Sequence, residues 1–394
     1  MTDRSNPGLV AARKQRLAAQ LDGAFDAWLA GSPANVDHAT GYRSVAYELF
    51  RQHQLAALVA GDRRWLVCPV ADSAPAMDAG VSGDELVCFG RFYYESRGAP
   101  QPPTDLVDEH GSLAEAVAAA CRRAGLERGR IGVDVAGLGA SWPAIEAALP
   151  DGLEVVDAGS WSLGVRSHKL DQELELLTHA ARLAEDGITA AIETAKVGMT
   201  ERQLAQVVAR TMVEGGGTPR FVVVTAGERS ALSDAAPTDR PLGPGELLRF
   251  DVGCTVDGYW SDIGRTAVVG PPDAEQRARY DAILAGEQAQ LDRARPGMSA
   301  RELFDLAVRT VEANGLAPYR RQHCGHGIGS EVYEPPIVAP AYDTELEPGM
   351  TFCFETPFYE LGWGGMMVED TLVVTDDGVR RLNRSTRELR VVDA

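Results

Sequence analysis

Between Asp251 and Asp262 the chain reads DVGCTVDGYWSD, with two acids eleven residues apart around an Asp-Gly step in otherwise strand-like sequence. Asp-Gly between two strand-like runs predicts a two-residue hairpin, because both turn positions require positive φ. With Asp257 and Gly258 alone in the turn, Val256 faces Tyr259, Gly253 faces Asp262 and Asp251 faces Gly264. Residues two apart on a strand share a face, so Asp251 and Asp262 project to the same side as diagonal neighbours. Like charges roughly 5–8 Å apart on one buried face are unfavourable unless a cation lies between them. The small partners Gly253 and Gly264 are expected to leave room for it.

A second strand pair repeats the pattern. Glu355 interrupts the apolar run MTFCFETPF, and Glu369 interrupts GGMMVEDTLVVT. A lone Glu is seldom left buried in such a run. The glycine-rich stretch CGHGIG (324–329) adds His326 where the backbone can approach closely. Taken singly, each acid reads as a salt-bridged or solvated residue and His326 as a hydrogen-bonded core histidine. Taken together, two Asp, one His and two Glu form an oxygen-rich set suited to a pair of divalent first-row ions, Mn, Fe, Co or Zn. Two such ions can share a bridging water, lower its pKa and polarise a carbonyl.

The rest of the chain bounds the setting. A formal net charge of −19 argues against nucleic acid or an anionic membrane surface as the main partner. No apolar run approaches a membrane-spanning length. The start, MTDRSNPGLVAARKQRLAAQLDG, has no apolar signal-peptide core, and six cysteines occur without a CxxC pair, so a cytoplasmic, reduced protein is expected. In the first half, strand-like DAWLA, LAALVAG, RWLVCPV and RIGVDVAG mix with helix-like SLAEAVAAACRRAGL and SWPAIEAALP. That mixture predicts an α/β domain with a covered sheet. A long helix from about Leu170 to Ala195 follows, and Thr200 caps another. The second half, helices and then hairpin-like pairs, predicts an α+β domain with a curved antiparallel sheet. The boundary is expected near residue 163, giving domains 1–163 and 164–394.

On these residues the chain resembles the creatinase/prolidase/methionine aminopeptidase superfamily, whose catalytic domain is the pita-bread fold. DVGCTVDGYWSDIGRT resembles its two-aspartate hairpin, RQHCGHGIG its histidine loop, and PGMTFCFETP and MVEDTLVVT its two glutamate strands. SPANVDHATGY resembles the opening of a creatinase-type N-terminal domain, and RSHKLDQELELL its junction with the catalytic domain. The resemblance implies an α+β protein with a C-terminal pita-bread domain and an N-terminal α/β domain, usually a homodimer. It further implies two divalent metal ions. Asp251 would bind one, His326 and Glu355 the other, and Asp262 and Glu369 both. Glu355 would also relay a proton. The implied reaction is hydrolysis of an amide-type C–N bond by water activated between the ions, with an Xaa-Pro peptide as the first substrate class.

The chain departs from the family at its non-ligand histidines. Asp234, in RSALSDAAPTDR, stands where peptidases of the family carry one, and Tyr333, in EVYEPP, stands where they carry another. Gln322 takes the place of a third, with His323 beside it, on the opposite side if that segment is extended. Tyr333 would donate to an oxyanion and Asp234 would take a proton or hold an amine. These departures keep open a member diverted to a small non-peptide metabolite, as a creatinase-like or ectoine-hydrolase-like hydrolase or as a lyase. A non-catalytic binding module is the third reading. Three further features have two readings each. RFYYESRG (91–98) reads as a surface loop or a specificity loop, and Trp363 as pocket wall or core. Cys254, Cys324 and Cys353 read as small buried residues, with a thiolate ligand, or a nucleophile partnered by His323, as the alternative.

Overall fold

The computed structural model describes residues 6–50, 52–95, 97–98 and 110–393. Two compact units divide between Arg166 and Ser167. The sequence reading had put the boundary near residue 163, inside the helix Gly159–Ser167 at whose end the units part.

In the N-terminal unit six strands form one mixed sheet. They are β1 (Ala27–Ala30), β2 (Ala56–Ala60), β3 (Arg63–Pro69), β4 (Leu86–Phe89), β5 (Arg128–Val133) and β6 (Gly152–Asp157), in the order β4-β3-β2-β1-β5-β6. Alternate residues of a strand point to opposite faces. Trp28 and Ala30 of β1 accordingly enter one apolar core with Leu17 and Leu21, while Ala27 and Leu29 enter a second with Val117 and Ala120. The sheet is covered on both sides, which is why its strands read as continuous apolar runs. Within RFYYESRG, Ser96 lies outside the described residues. The Phe92 and Tyr94 rings pack 4.9 Å apart, and the Tyr94 hydroxyl donates to Ala71 O at 2.5 Å, which fastens the stretch to its own unit.

The C-terminal unit begins with the helix Asp171–Thr194, whose Leu177, Ala180, Ala181, Ala184, Ile188 and Ala191 are buried at the expected spacing. Thr200 caps the next helix, Glu201–Glu214, in a reciprocal box with Gln203. Beneath them lies a ten-stranded sheet. Its members are β7 (Thr218–Ala226), β8 (Leu247–Val256), β9 (Tyr259–Trp260), β10 (Ile263–Val269), β11 (Gly325–Gly327), β12 (Glu334–Ile337) and β13 (Thr351–Glu355). A small hairpin of β14 (Phe358–Glu360) and β15 (Gly364–Met366) stands apart from it. The sheet continues with β16 (Glu369–Val374), β17 (Val379–Arg381) and β18 (Arg390–Val392). The main path is β12-β11-β13-β16-β10-β8-β7. Helices Ala274–Arg293 and Ala300–Ala313 supply Tyr280, Ile283, Leu303 and Phe304 to a core shared with Phe352, Phe354, Leu372 and Val374. Among the described residues no helix is long and apolar enough to cross a membrane.

The Asp257–Gly258 turn has the expected geometry, with φ of 44° and 79° at its two residues. Val256 pairs with Tyr259, Val252 with Ile263 and Asp251 with Gly264.

Candidate metal centre

The five predicted ligands occupy consecutive strands in the middle of the sheet. His326 is on β11, Glu355 ends β13, Glu369 opens β16, Asp262 precedes β10 and Asp251 is on β8. The register aligns them. Glu355 pairs with Glu369, Glu369's strand places it opposite Gly264, and Gly264 pairs with Asp251. Three carboxylates thus stand in one row across the strands, with a gap at Gly264. Ligand atoms of Asp251, Asp262 and Glu369 lie within 4.8 Å of one another, as do those of His326, Cys353 and Glu369.

One expectation fails. The space at the two glycines is not free. A side chain at Gly253 would meet Ser261 O at 2.2 Å and the Phe221 ring at 2.3 Å. One at Gly264 would meet Met367 Cγ at 2.4 Å and Glu369 Cβ at 3.1 Å. The glycines admit neighbouring side chains, Glu369 included, rather than an ion. The room for a cation lies farther out, among the carboxylate tips.

Those tips lack partners. Asp262 Oδ1, His326 Nε2 and Glu369 Oε2 are buried with no hydrogen-bond partner. His326 Nδ1 donates to Gly327 O at 3.0 Å, because a carbonyl only accepts, so the lone pair of Nε2 faces the acids. Nε2 stands 3.6 Å from Asp262 Oδ2 and 3.8 Å from Glu369 Oε1. Burial and then Asp262 push Asp251 up to about 8. Burial, followed by Asp262 and Glu355, pushes Glu369 well above the usual carboxylate range. Asp262 is raised by burial despite His326. For His326, burial works against the proton but the Asp262 side chain prevails and raises it. Four packed carboxylates, an imidazole lone pair aimed at them and orphaned buried oxygens fit one or more divalent cations.

His323 also departs from expectation. Residues 320–324 form bends rather than a strand, so strand parity does not apply. The ring swings inward, and Nδ1 lies 2.8 Å from Glu355 Oε1 without the alignment of a hydrogen bond. Burial would raise Glu355, yet His323, His326 and Arg321 hold it below its ordinary value. The Tyr333 ring stacks on the His326 imidazole with centroids 3.7 Å apart and planes at 19°. Burial and then Glu355 raise the Tyr333 phenol, so it stays a donor. Asp234 is exposed and accepts from Ser233 Oγ at 3.1 Å, yet its charge still raises Asp251.

Trp363 takes the core alternative, packing near Phe358 at 6.1 Å and beneath the Arg279 guanidinium at 4.1 Å. Cys353 Sγ lies 3.6 Å from Asp262 O and from Thr371 Oγ1, and burial keeps it a thiol. Burial likewise raises Cys254, to about 11, and Cys324. Cys353 is the cysteine close enough to share a cation with His326 and Glu369.

Three features of the site escaped the sequence reading. Arg249, fully buried, donates to Asp251 Oδ2 at 3.2 Å, to Ser230 O at 2.9 Å, and to Leu232 O and Ser233 O at 2.7 and 2.6 Å. An arginine inside the apolar run LLRFDVG was the available signal. The Tyr359 ring lies between Arg249 and Arg321, at 5.2 and 5.5 Å. Lys169 Nζ donates to Glu334 Oε2 at 2.8 Å, both buried, and so anchors the segment after the histidine loop.

Comparison with known proteins bears on this geometry. Residues 175–376 match the model of metallopeptidase family M24, a span containing every acid, histidine and tyrosine discussed above except those of the N-terminal unit and the junction. The chain is similar to the Xaa-Pro dipeptidase of Pyrococcus furiosus, 34% identical over 227 residues, or 57% of this chain and 65% of that protein. The chain therefore spans just under two thirds of that relative's length. The Xaa-Pro dipeptidase of Lactobacillus delbrueckii subsp. lactis is 33% identical over 256 residues, 64% of this chain and 70% of that one. Among solved structures, dipeptidase PepE from Mycobacterium ulcerans superposes with a TM-score of 0.80 at 26% identity, covering 99% of each chain.

Proposed function

Because the chain belongs to metallopeptidase family M24, with the pita-bread fold of that family in its C-terminal unit, we propose that it hydrolyses amide-type C–N bonds with the help of divalent metal ions. Short peptides of the Xaa-Pro type are the first substrates to test, by analogy with the dipeptidases it is similar to. The observation that carries this reading is the convergence of buried, unpartnered Asp262 Oδ1, His326 Nε2 and Glu369 Oε2 beside Asp251 and Glu355. A pair of ions, Mn, Co, Zn or Fe, would be held by Asp251 on one side and by His326 and Glu355 on the other, with Asp262 and Glu369 shared. Such ions supply an activated water and Lewis-acid polarisation when bound.

The chain's own groups do the rest. Glu355, poised against His323 at 2.8 Å, moves a proton at Oε1. The Tyr333 hydroxyl, on a ring held against His326, donates to the developing oxyanion. Asp234, exposed on the segment that Arg249 secures, holds a substrate amine. A second reading, a small non-peptide C–N substrate, is favoured by one observation: beyond His179 the chain has only His323 and His326. Both lie against the carboxylates, so no other imidazole of this unit's later part reaches a peptide transition state. Screening Xaa-Pro dipeptides against small amides and ureas, with Mn or Co present, separates the two. Turnover of the dipeptides supports the first reading, turnover of the small amides alone supports the second, and absence of metal binding removes both.

A further inference from the structure

Arg249 is a charged residue that the proposed chemistry does not use, and it is built into the centre. Its guanidinium has no exposure, and all three nitrogens are engaged: Nε with Ser230 O, one terminal nitrogen with Asp251 Oδ2, the other with Leu232 O and Ser233 O. A guanidinium does not deprotonate in a protein, so this positive charge is permanent. It stands 3.2 Å from a carboxylate that would bind metal on one side of the centre only. The other side is built on β11 and β13, with β16 and β10 between them and Arg249's own strand. Adjacent strands are about 4.8 Å apart, and Coulomb repulsion falls with distance, so Arg249 acts unequally on the two positions.

We propose that Arg249 is a fixed third cation of the centre, which weakens binding of the ion on the Asp251 side and makes the ions load in sequence, His326 side first. This rests on the metal reading above. Arg249 is a positioning residue: it acts through Asp251 and need not touch substrate. At limiting metal the centre would hold one ion, with Asp251 still paired to Arg249. Because the same guanidinium grips the carbonyls of 232 and 233, arrival of the second ion at Asp251 would be felt by the segment that ends in Asp234.

The test uses the full-length protein stripped of metal and titrated with MnCl2, followed by calorimetry and by electron paramagnetic resonance. The first equivalent of Mn is expected to show nitrogen hyperfine coupling from His326. In Arg249→Met and Arg249→Gln, the second equivalent should bind at least about tenfold more tightly than in the wild type, with the first moving less. Arg249→Lys, which keeps the charge but loses the fork, should retain the wild-type separation. Unchanged second-ion affinity in the neutral variants would mean that Arg249 only braces the loop, and would overturn the proposal. So would a first-equivalent spectrum without nitrogen coupling, a measurement that decides the matter in the wild type even where neither neutral variant folds. No Mn binding at all would instead remove the metal reading itself, and this inference with it.

Discussion

Glu355 and Glu369 face each other across the β13–β16 ladder as directly paired residues, and both are buried. Like charges in that relation destabilise a sheet unless something neutralises them. The pair is therefore the strongest local demand in the molecule for a cation or for protons.

The pH response of the metal-free protein follows from this demand. Asp251 has a folded-state value of about 8 against an ordinary 3.8, so the folded protein holds a proton that the unfolded chain has released. The stability it contributes is complete below about pH 4 and is lost as pH rises through about 8. Metal-stripped protein should thus lose thermal stability across that window, while metal-loaded protein, with Asp251 ionised in both states, should lose less. Glu287, also raised to about 8 by burial and Asp370, lies outside the ligand set and contributes equally with and without metal. The difference between the two melting curves is the quantity to read. Identical pH dependence with and without Mn would contradict the assignment of Asp251.

His323 is expected to support a ligand rather than to be one. His323→Ala should lower Mn affinity or turnover about ten- to hundredfold, the usual effect of removing a group that orients a metal-binding side chain. Titration calorimetry checks the first and steady-state kinetics the second. No change in either would show the 2.8 Å approach to Glu355 to be incidental.

Tyr333→Phe keeps the ring that stacks on His326 and removes only the hydroxyl. If that hydroxyl donates to an oxyanion, kcat should fall about a hundredfold while Mn affinity stays as in the wild type. Equal kcat in the two proteins would assign Tyr333 a packing role.

Lys169→Met should destabilise the protein by about 3–5 kcal/mol, because Glu334 would be left buried without its cation. Urea denaturation measures it. A loss below about 1 kcal/mol, the range of an exposed pair, would mean that water reaches the site.

Gly253→Ala brings a methyl group to 2.2 Å from Ser261 O, which is backbone and cannot swing aside. A loss of about 1–3 kcal/mol is expected from such overpacking, together with weaker metal binding as Asp251 and Asp262 move apart. Full metal affinity in a folded Gly253→Ala protein would count against the tight coupling of hairpin and centre.

Most of the ligand set was legible because a two-residue turn fixes register, and register fixes which side chains share a face. Val256–Tyr259 and Asp251–Gly264 pair as expected, and the placement of Asp251 beside Asp262 follows. His323 was misjudged because 320–324 bends, and nothing in RRQHC marks a departure from extended chain. The glycine spaces were misjudged because Phe221 comes from β7 and Met367 from the approach to β16, partners that local pattern does not name. Arg249 and the Lys169–Glu334 pair escaped for the same reason: each is explained by residues far away in the chain.

The Asp257–Gly258 turn has one more consequence. Lengthening or shortening it by a single residue would invert one arm of the hairpin, sending one aspartate toward the helices while the other stayed among the glutamates. This loop can therefore exchange residues but cannot change its length by one, and a library of single insertions across 251–262 should contain no variant that retains bound manganese.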